Sequence, residues 1–202
     1  MPLQNRVDPF SALNAVPARG TLTGNRGCLH DEARRIRPGR TWRSRRWISC
    51  RLDWKGWRRV VMTPNRWTEL FFLDEATALA AGHRPCAYCR REAFERFRAA
   101  LAAGNPGRIS ATPGVDEIDR LLHADRLTGA GTQQRHEGCP AELPDGAMFE
   151  HDGRAWLKQA GAVRPWSFEG YGDSQPQPAS AVSVLTPRCL VATLGAGYAL
   201  DL

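Results

Sequence analysis

No run of about 18 apolar residues occurs anywhere in the 202-residue sequence, which excludes a membrane-spanning helix. The opening "MPLQNRVDPF" carries no charged segment followed by an apolar run, so no signal peptide is read. A cytoplasmic setting with reduced thiols is therefore expected. P-loop, dinucleotide glycine fingerprint and nucleophile elbow are all missing, which removes the common phosphate-binding, dehydrogenase and esterase architectures. Acidic residues are in short supply, with 21 Asp+Glu against 28 Lys+Arg and a formal charge of +7. Cysteine is scarce too, with six in the chain, so two standing close together carry information.

The basic excess is concentrated. Arg34, Arg35, Arg37, Arg40, Arg43, Arg45, Arg46, Arg51, Lys55, Arg58 and Arg59 crowd one region. Such a block favours a polyanion, most simply DNA, with RNA as the alternative; the bland alternative is a solvated arginine-rich surface. The stretch "RTWRSRRWISCRLDWKGWRR" interleaves Trp42, Trp47, Trp54 and Trp57 with these arginines. Arginines neutralise phosphates, and indoles stack on bases or fill a core. Trp54 alternates with Cys50 and is assigned to a buried face, whereas Trp42 and Trp47 are the surface candidates. Arg43, Arg45, Arg46 and Trp47, with Arg84 and Arg90 beside the cysteine pair, form the candidate nucleic-acid contacts.

Residues 1–27 are rich in Pro, Gly and Asn and read as an N-terminal arm. "WISCRLDW" alternates as a strand, Lys55-Gly56 is a turn, and "WRRVVM" is the returning strand of a hairpin. "WTELFFL" (67–73) is a third strand. Asp74 caps the short helix "EATALAA", and Gly82 ends it in a left-handed conformation. A helix follows over 90–104, with Phe94, Phe97 and Leu101 on one side. The Gly/Pro segment "GNPGRISATPG" is read as a boundary. Beyond it come an amphipathic helix with Ile118, Leu121 and Leu122, a loop over 128–146, a hairpin turned at Asp152-Gly153, a strand "AVSVL", and a helix begun by Pro187. The expected fold class is α+β: a small antiparallel sheet with short helices around a zinc knuckle over 28–104, then an α/β subdomain with a β-hairpin over 105–202.

Cys86 and Cys89 form a C-x2-C pair in "HRPCAYCRR". The tight turn lets both thiolates reach one tetrahedral zinc at about 2.3 Å. One pair supplies half a ligand set. Cys28 and Cys50 complete an all-cysteine site, and His30 competes for the fourth place. Cys139 and Cys189 lie outside this set and read as inert thiols. His83 is placed against the site, where it would pack on or hydrogen-bond a sulfur. A thioredoxin-like redox pair is the rival reading of the C-x2-C, and it wants a strand directly before the motif.

"FFLDEATALAAGHRPCAYCRREA" resembles the metal-binding domain of the Ada family of methylphosphotriester DNA repair proteins. The similarity runs from about residue 47 to 97, closest over 73–90, and its core is "AAG-x-RPC-x-x-C". The resemblance implies a small zinc domain that binds DNA and transfers a methyl group from a methylated phosphate to a zinc-bound cysteine. Cys86 and Cys89 match that family's second cysteine pair. The family's first pair is spaced C-x3-C; here Cys50 stands alone on its strand and takes the acceptor's place. Two further readings stand beside this one. The zinc is structural in a nucleic-acid-binding module without chemistry, or His30, Asp31 and Glu32 belong to a hydrolase.

Overall fold

The computed structural model describes residues 1–56 and 60–200. The fold class is α+β, with two six-stranded sheets and four helices among the described residues. The first sheet uses β1 (Arg6–Val7), β2 (Leu13–Asn14), β3 (Leu22–Asn25), β4 (Ile48–Arg51), β5 (Leu70–Phe72) and β6 (Arg84–Pro85), in the order β2-β1-β5-β3-β4-β6. Its pairing is antiparallel except for β1 with β5 and β4 with β6. The second uses β7 (His136–Gly138), β8 (Met148–His151), β9 (Arg154–Gln159), β10 (Ala162–Ser167), β11 (Gly170–Tyr171) and β12 (Val182–Val184), in the order β11-β10-β9-β8-β12-β7. The helices are α1 (Glu75–Ala80), α2 (Arg91–Gly104), α3 (Val115–Arg126) and α4 (Arg188–Gly195).

The N-terminal segment is not an arm. It supplies three strands, and β3 lies between β5 and β4 inside the sheet. Its glycines misled because two of them serve close packing and not looseness. A Cβ on Gly24 would sit 2.1 Å from the Ile48 carbonyl oxygen, and one on Gly20 would sit 1.8 Å from that of Phe72. The "WISCRLDW" strand is shorter than its pattern, and Leu52 is half-exposed. Lys55 and Gly56 do turn in the left-handed region, at φ +54° and +67°. Of the expected returning strand, Trp57, Arg58 and Arg59 lie outside the described residues, and Val60–Met62 is not a strand. The loop over 128–146 contains β7, and Pro187 caps α4 from outside its first turn.

Asp74 accepts from the Thr77 N–H at 2.8 Å and so satisfies one of the orphan donors at the start of α1. Gly82, at φ +81°, closes the turn where a Cβ would strike Arg126 at 2.7 Å. The small residues of α1 let it fit between the sheets. Ala78 and Ala81 pack on Val7, Leu70 and Phe72 of the first, while Ala76 and Ala80 pack on Met148, Leu157 and Leu185 of the second side. The apolar stripe of α2 (Phe94, Phe97 and Leu101) shares one core with Ile118, Leu122, Phe149 and Leu190. The Gly/Pro segment after α2 therefore joins elements that bury their apolar faces together. The hairpin at Asp152-Gly153 forms with both residues at positive φ, +50° and +73°.

Candidate metal centre and its cavity

Strand alternation decides which β4 side chains face the core. Ser49 points inward and is buried, and its hydroxyl donates to the Arg84 carbonyl at 3.2 Å. Cys50 points to the opposite face. It pairs with Thr23 of β3, which in turn pairs with Phe71 of β5, so the three residues form a row across the sheet.

The C-x2-C turn is tied to this face by the parallel β4–β6 pairing, in which Ser49 lies opposite Pro85. The Cys86 N–H donates to the Ser49 carbonyl at 2.9 Å, which sets Cys86 beside Cys50. The Arg90 N–H returns to the Cys86 carbonyl at 3.1 Å, and the Tyr88 N–H donates to the Cys86 Sγ at 3.4 Å. Helix α2 starts immediately afterwards. The sulfurs of Cys50, Cys86 and Cys89 all lie within 4.8 Å of one another. Three corners of a zinc–thiolate tetrahedron with bonds of about 2.3 Å stand about 3.8 Å apart, so the three sulfurs are positioned to hold a metal ion.

Their acidities carry the same message. Contact with Cys50 and then Cys89 pulls the Cys86 thiol far below its ordinary value. Cys50 is pushed far above its own by the contacts with Cys86 and Cys89, and then by burial. Cys89 is drawn down by Cys50 but ends above its ordinary value through Cys86 and burial. With three thiols in contact, ionising one disfavours ionising the next. A bound cation removes that conflict and ionises all three.

The sulfurs open into a cavity of about 440 Å³ on the outer face of the first sheet. Thr23, Asn25, Glu69 and Phe71 floor it, and Trp54, Trp67 and Tyr88 wall it. A second cavity of about 570 Å³ adjoins it, shares Arg51, Trp54, Tyr88 and Cys89, and is lined further by Arg90, Arg91 and Arg96. Trp54 and Tyr88 stand edge to face at 5.8 Å, with Lys55 and Arg51 over the aromatic faces.

Cys28 and His30 stand apart from the sulfur cluster. The Cys28 Sγ lies 3.8 Å from the His30 carbonyl. The buried His30 ring bonds Thr68 Oγ1 at 2.7 Å and the Thr63 carbonyl at 3.1 Å. Asp31 pairs with Arg35 and Glu32 is exposed, so the "HDE" triplet does not converge. His83 is away from the sulfurs. It is buried against Phe72 and Trp47, with ring centroids 4.6 and 5.1 Å away, and accepts from Arg26 Nε at 3.3 Å. Cys139 is exposed and Cys189 is buried, its thiol raised by that burial.

Half of the candidate nucleic-acid contacts are internal. Trp47 is 1% exposed, with the guanidinium groups of Arg26 and Arg126 each 4.1 Å from its ring. Arg84 is buried in a two-pronged ion pair with Asp119, at 2.8 and 2.9 Å. Arg90 is buried against Glu75 at 2.7 Å and Ser49 Oγ at 3.0 Å. These three side chains hold the knuckle to the core and cannot reach a phosphate. Arg43, Arg45 and Arg46 are exposed, Arg46 pairing with the equally exposed Asp116 at 3.0 Å. Trp42 is half-buried and packs edge-on to His123 at 4.6 Å.

Thr23, Asn25 and Glu69 were not anticipated as site residues. For Glu69 a signal existed, since alternation in "WTELFFL" puts Trp67, Glu69 and Phe71 on one face. Nothing local marked Thr23 and Asn25, because their strand was hidden among glycines. No protein-family model, curated protein or solved structure matches the chain.

Proposed function

We propose that Cys50, Cys86 and Cys89 bind zinc, and that the chain engages DNA through its exposed arginines, with a methyl group of a methylated phosphate passing to Cys50. The observation that carries the reading is the three-sulfur cluster at the mouth of a cavity. Zinc bound there would keep the thiolates ionised and nucleophilic at neutral pH. Three thiolates around one divalent cation leave an excess negative charge, which suits a sulfur attacking carbon. Cys50, half-buried on β4, lines the cavity through which a methylated phosphate would approach. In the step, the Cys50 sulfur bonds to the methyl carbon and the methyl–oxygen bond breaks. The electron pair stays on the phosphate oxygen, which regains its charge. The likeness of residues 73–90 to the Ada metal-binding domain supports this chemistry. Exposed Arg34, Arg35, Arg37, Arg43, Arg45 and Arg46 supply the phosphate-neutralising surface.

A structural-zinc module that binds nucleic acid without chemistry is the second reading. It is favoured by the cluster's holding three sulfurs among the described residues, with Cys28 elsewhere. The deciding experiment is the intact mass of the zinc-loaded protein after incubation with an oligonucleotide bearing one methylphosphotriester. A methyl-sized gain mapped to Cys50 supports repair. Unchanged mass with zinc retained leaves the binding module.

A further inference from the structure

We propose that the cavity beside the sulfurs binds a single guanine base, held out of its stack, with its Watson–Crick edge on Glu69 and Asn25 and its phosphate against Arg51 and Arg91.

The argument begins with Glu69. This carboxylate is 7% exposed, and among the described residues its one hydrogen bond is from the Met62 N–H to Oε2 at 2.6 Å. No described cation pairs with it. A buried carboxylate needs more than one donor, and the cavity it lines is where further donors would come from. Asn25 stands next to it. Gly24 pairs with Leu70, so Asn25 and Glu69, the next residues along β3 and β5, are cross-strand neighbours about 5 Å apart at Cβ. The Asn25 Oδ1 accepts from the Gly27 N–H at 3.3 Å, and its amide nitrogen has no partner among the described residues.

A carboxylate acceptor beside an amide donor matches guanine. Its N1–H and N2–H₂ are adjacent donors for Glu69, and its O6 is an acceptor for the Asn25 amide. Adenine presents an acceptor at N1 and an amino group at position 6, the reverse order. The walls suit a flat ring: Trp67 and Phe71 offer aromatic surface for stacking, and the Trp54–Tyr88 pair, with Arg51 and Lys55 over its faces, completes the lining. The volume of about 440 Å³ lies in the range of small-ligand sites. A cationic ligand fits poorly, since Arg51 and Lys55 already crowd Trp54 and Tyr88. An anionic group attached to the base has a place in the adjoining cavity, which shares the Trp54–Tyr88 wall and carries exposed Arg51 and Arg91. The two recesses together have the layout of one nucleotide.

This inference rests on the nucleic-acid reading only for the strand that delivers the base. The test is fluorescence anisotropy with short single-stranded thymine oligonucleotides carrying one central guanine, hypoxanthine or adenine, none methylated. The guanine strand should bind about 10-fold more tightly than the adenine strand, the worth of one two-pronged base contact. Hypoxanthine, lacking the 2-amino group, should fall between them. Glu69→Gln keeps an acceptor for the Met62 N–H and should erase the guanine preference while leaving salt-dependent binding. Equal affinity for the three strands would overturn the pocket and leave the nucleic-acid reading standing. If no strand binds, guanosine monophosphate is titrated with tryptophan fluorescence as the readout. Quenching that Glu69→Gln abolishes would keep the pocket and remove the nucleic-acid reading; no quenching would overturn the pocket.

Discussion

Replacing Asp119 tests the account of the knuckle most directly. Asp119 on α3 and Arg84 on β6 are each 2% exposed and share two hydrogen bonds at 2.8 and 2.9 Å. Arg84 also donates to the Pro85 carbonyl at 3.0 Å and lies over the Phe94 ring at 5.4 Å. Asp119→Ala leaves a guanidinium buried beside an apolar ring with its charge unanswered. Breaking one partner of such a pair costs about 3–5 kcal/mol. For a chain of 202 residues, each kcal/mol lowers Tm by about 2–4 °C, so a drop of roughly 6–20 °C is expected. Urea unfolding followed by tryptophan fluorescence gives the free energy, and calorimetry gives Tm. The double variant Arg84→Met with Asp119→Leu should recover most of the loss, because two apolar side chains need no partner. A loss under about 1 kcal/mol for Asp119→Ala, with a gain in DNA affinity, would refute this reasoning. It would mean that Arg84 is free to turn outward to phosphate, as its place beside the knuckle first suggested.

Cys50→Ser, Cys86→Ser and Cys89→Ser should each cut zinc from about one per chain to near none by elemental analysis, whereas Cys28→Ser should keep it; the reverse pattern would move the site. His83 is held well below its ordinary pKa, first by burial and then by Arg26 and Arg126. Its folded form stays neutral while the unfolded form gains a proton, so stability should fall by up to about 1.4 kcal/mol per pH unit as pH drops below about 6.5. His83→Gln, which keeps an acceptor for Arg26 without titrating, should flatten that part of the stability–pH curve. Arg43→Gln with Arg45→Gln should lower the slope of log affinity for DNA against log salt by about 2 without changing Tm; an unchanged slope removes these side chains from the interface.

The elements that were legible beforehand were those whose signals are local. Asp74 and Gly82 bracket α1, Phe94, Phe97 and Leu101 set the buried side of α2, and Asp152-Gly153 turns the hairpin; each acts within a few residues of itself. The misses are long-range. Trp47, Arg84 and Arg90 sit among surface arginines in sequence, and nothing nearby says which guanidinium meets a buried carboxylate. Arg84 finds Asp119 at a separation of 35 residues, on a helix beyond the Gly/Pro segment. Strand β3 was missed for the opposite reason. Its glycine looked like looseness, when the neighbouring backbone leaves no room for a Cβ. At the site, the C-x2-C turn and Cys50 were visible, but not the position of Glu69 beside them.

The arrangement of charge around the knuckle bears on what its sulfurs could hold. A guanidinium turned toward the sulfurs would hold a thiolate without any ion. The knuckle carries two buried arginines, and both are engaged elsewhere: Arg84 with Asp119, Arg90 with Glu75 and the Ser49 hydroxyl. Ser49 is the inward neighbour of Cys50, so the residue that anchors Arg90 and the residue that offers its sulfur alternate on one strand. A one-residue slip of β4 would send Cys50 into the core and Ser49 into the cavity. The buried arginines thus fix the register that gathers three sulfurs, while their charge is consumed by carboxylates. A divalent cation among the three sulfurs would offset the charge of all three thiolates at once, a role neither buried arginine is free to take.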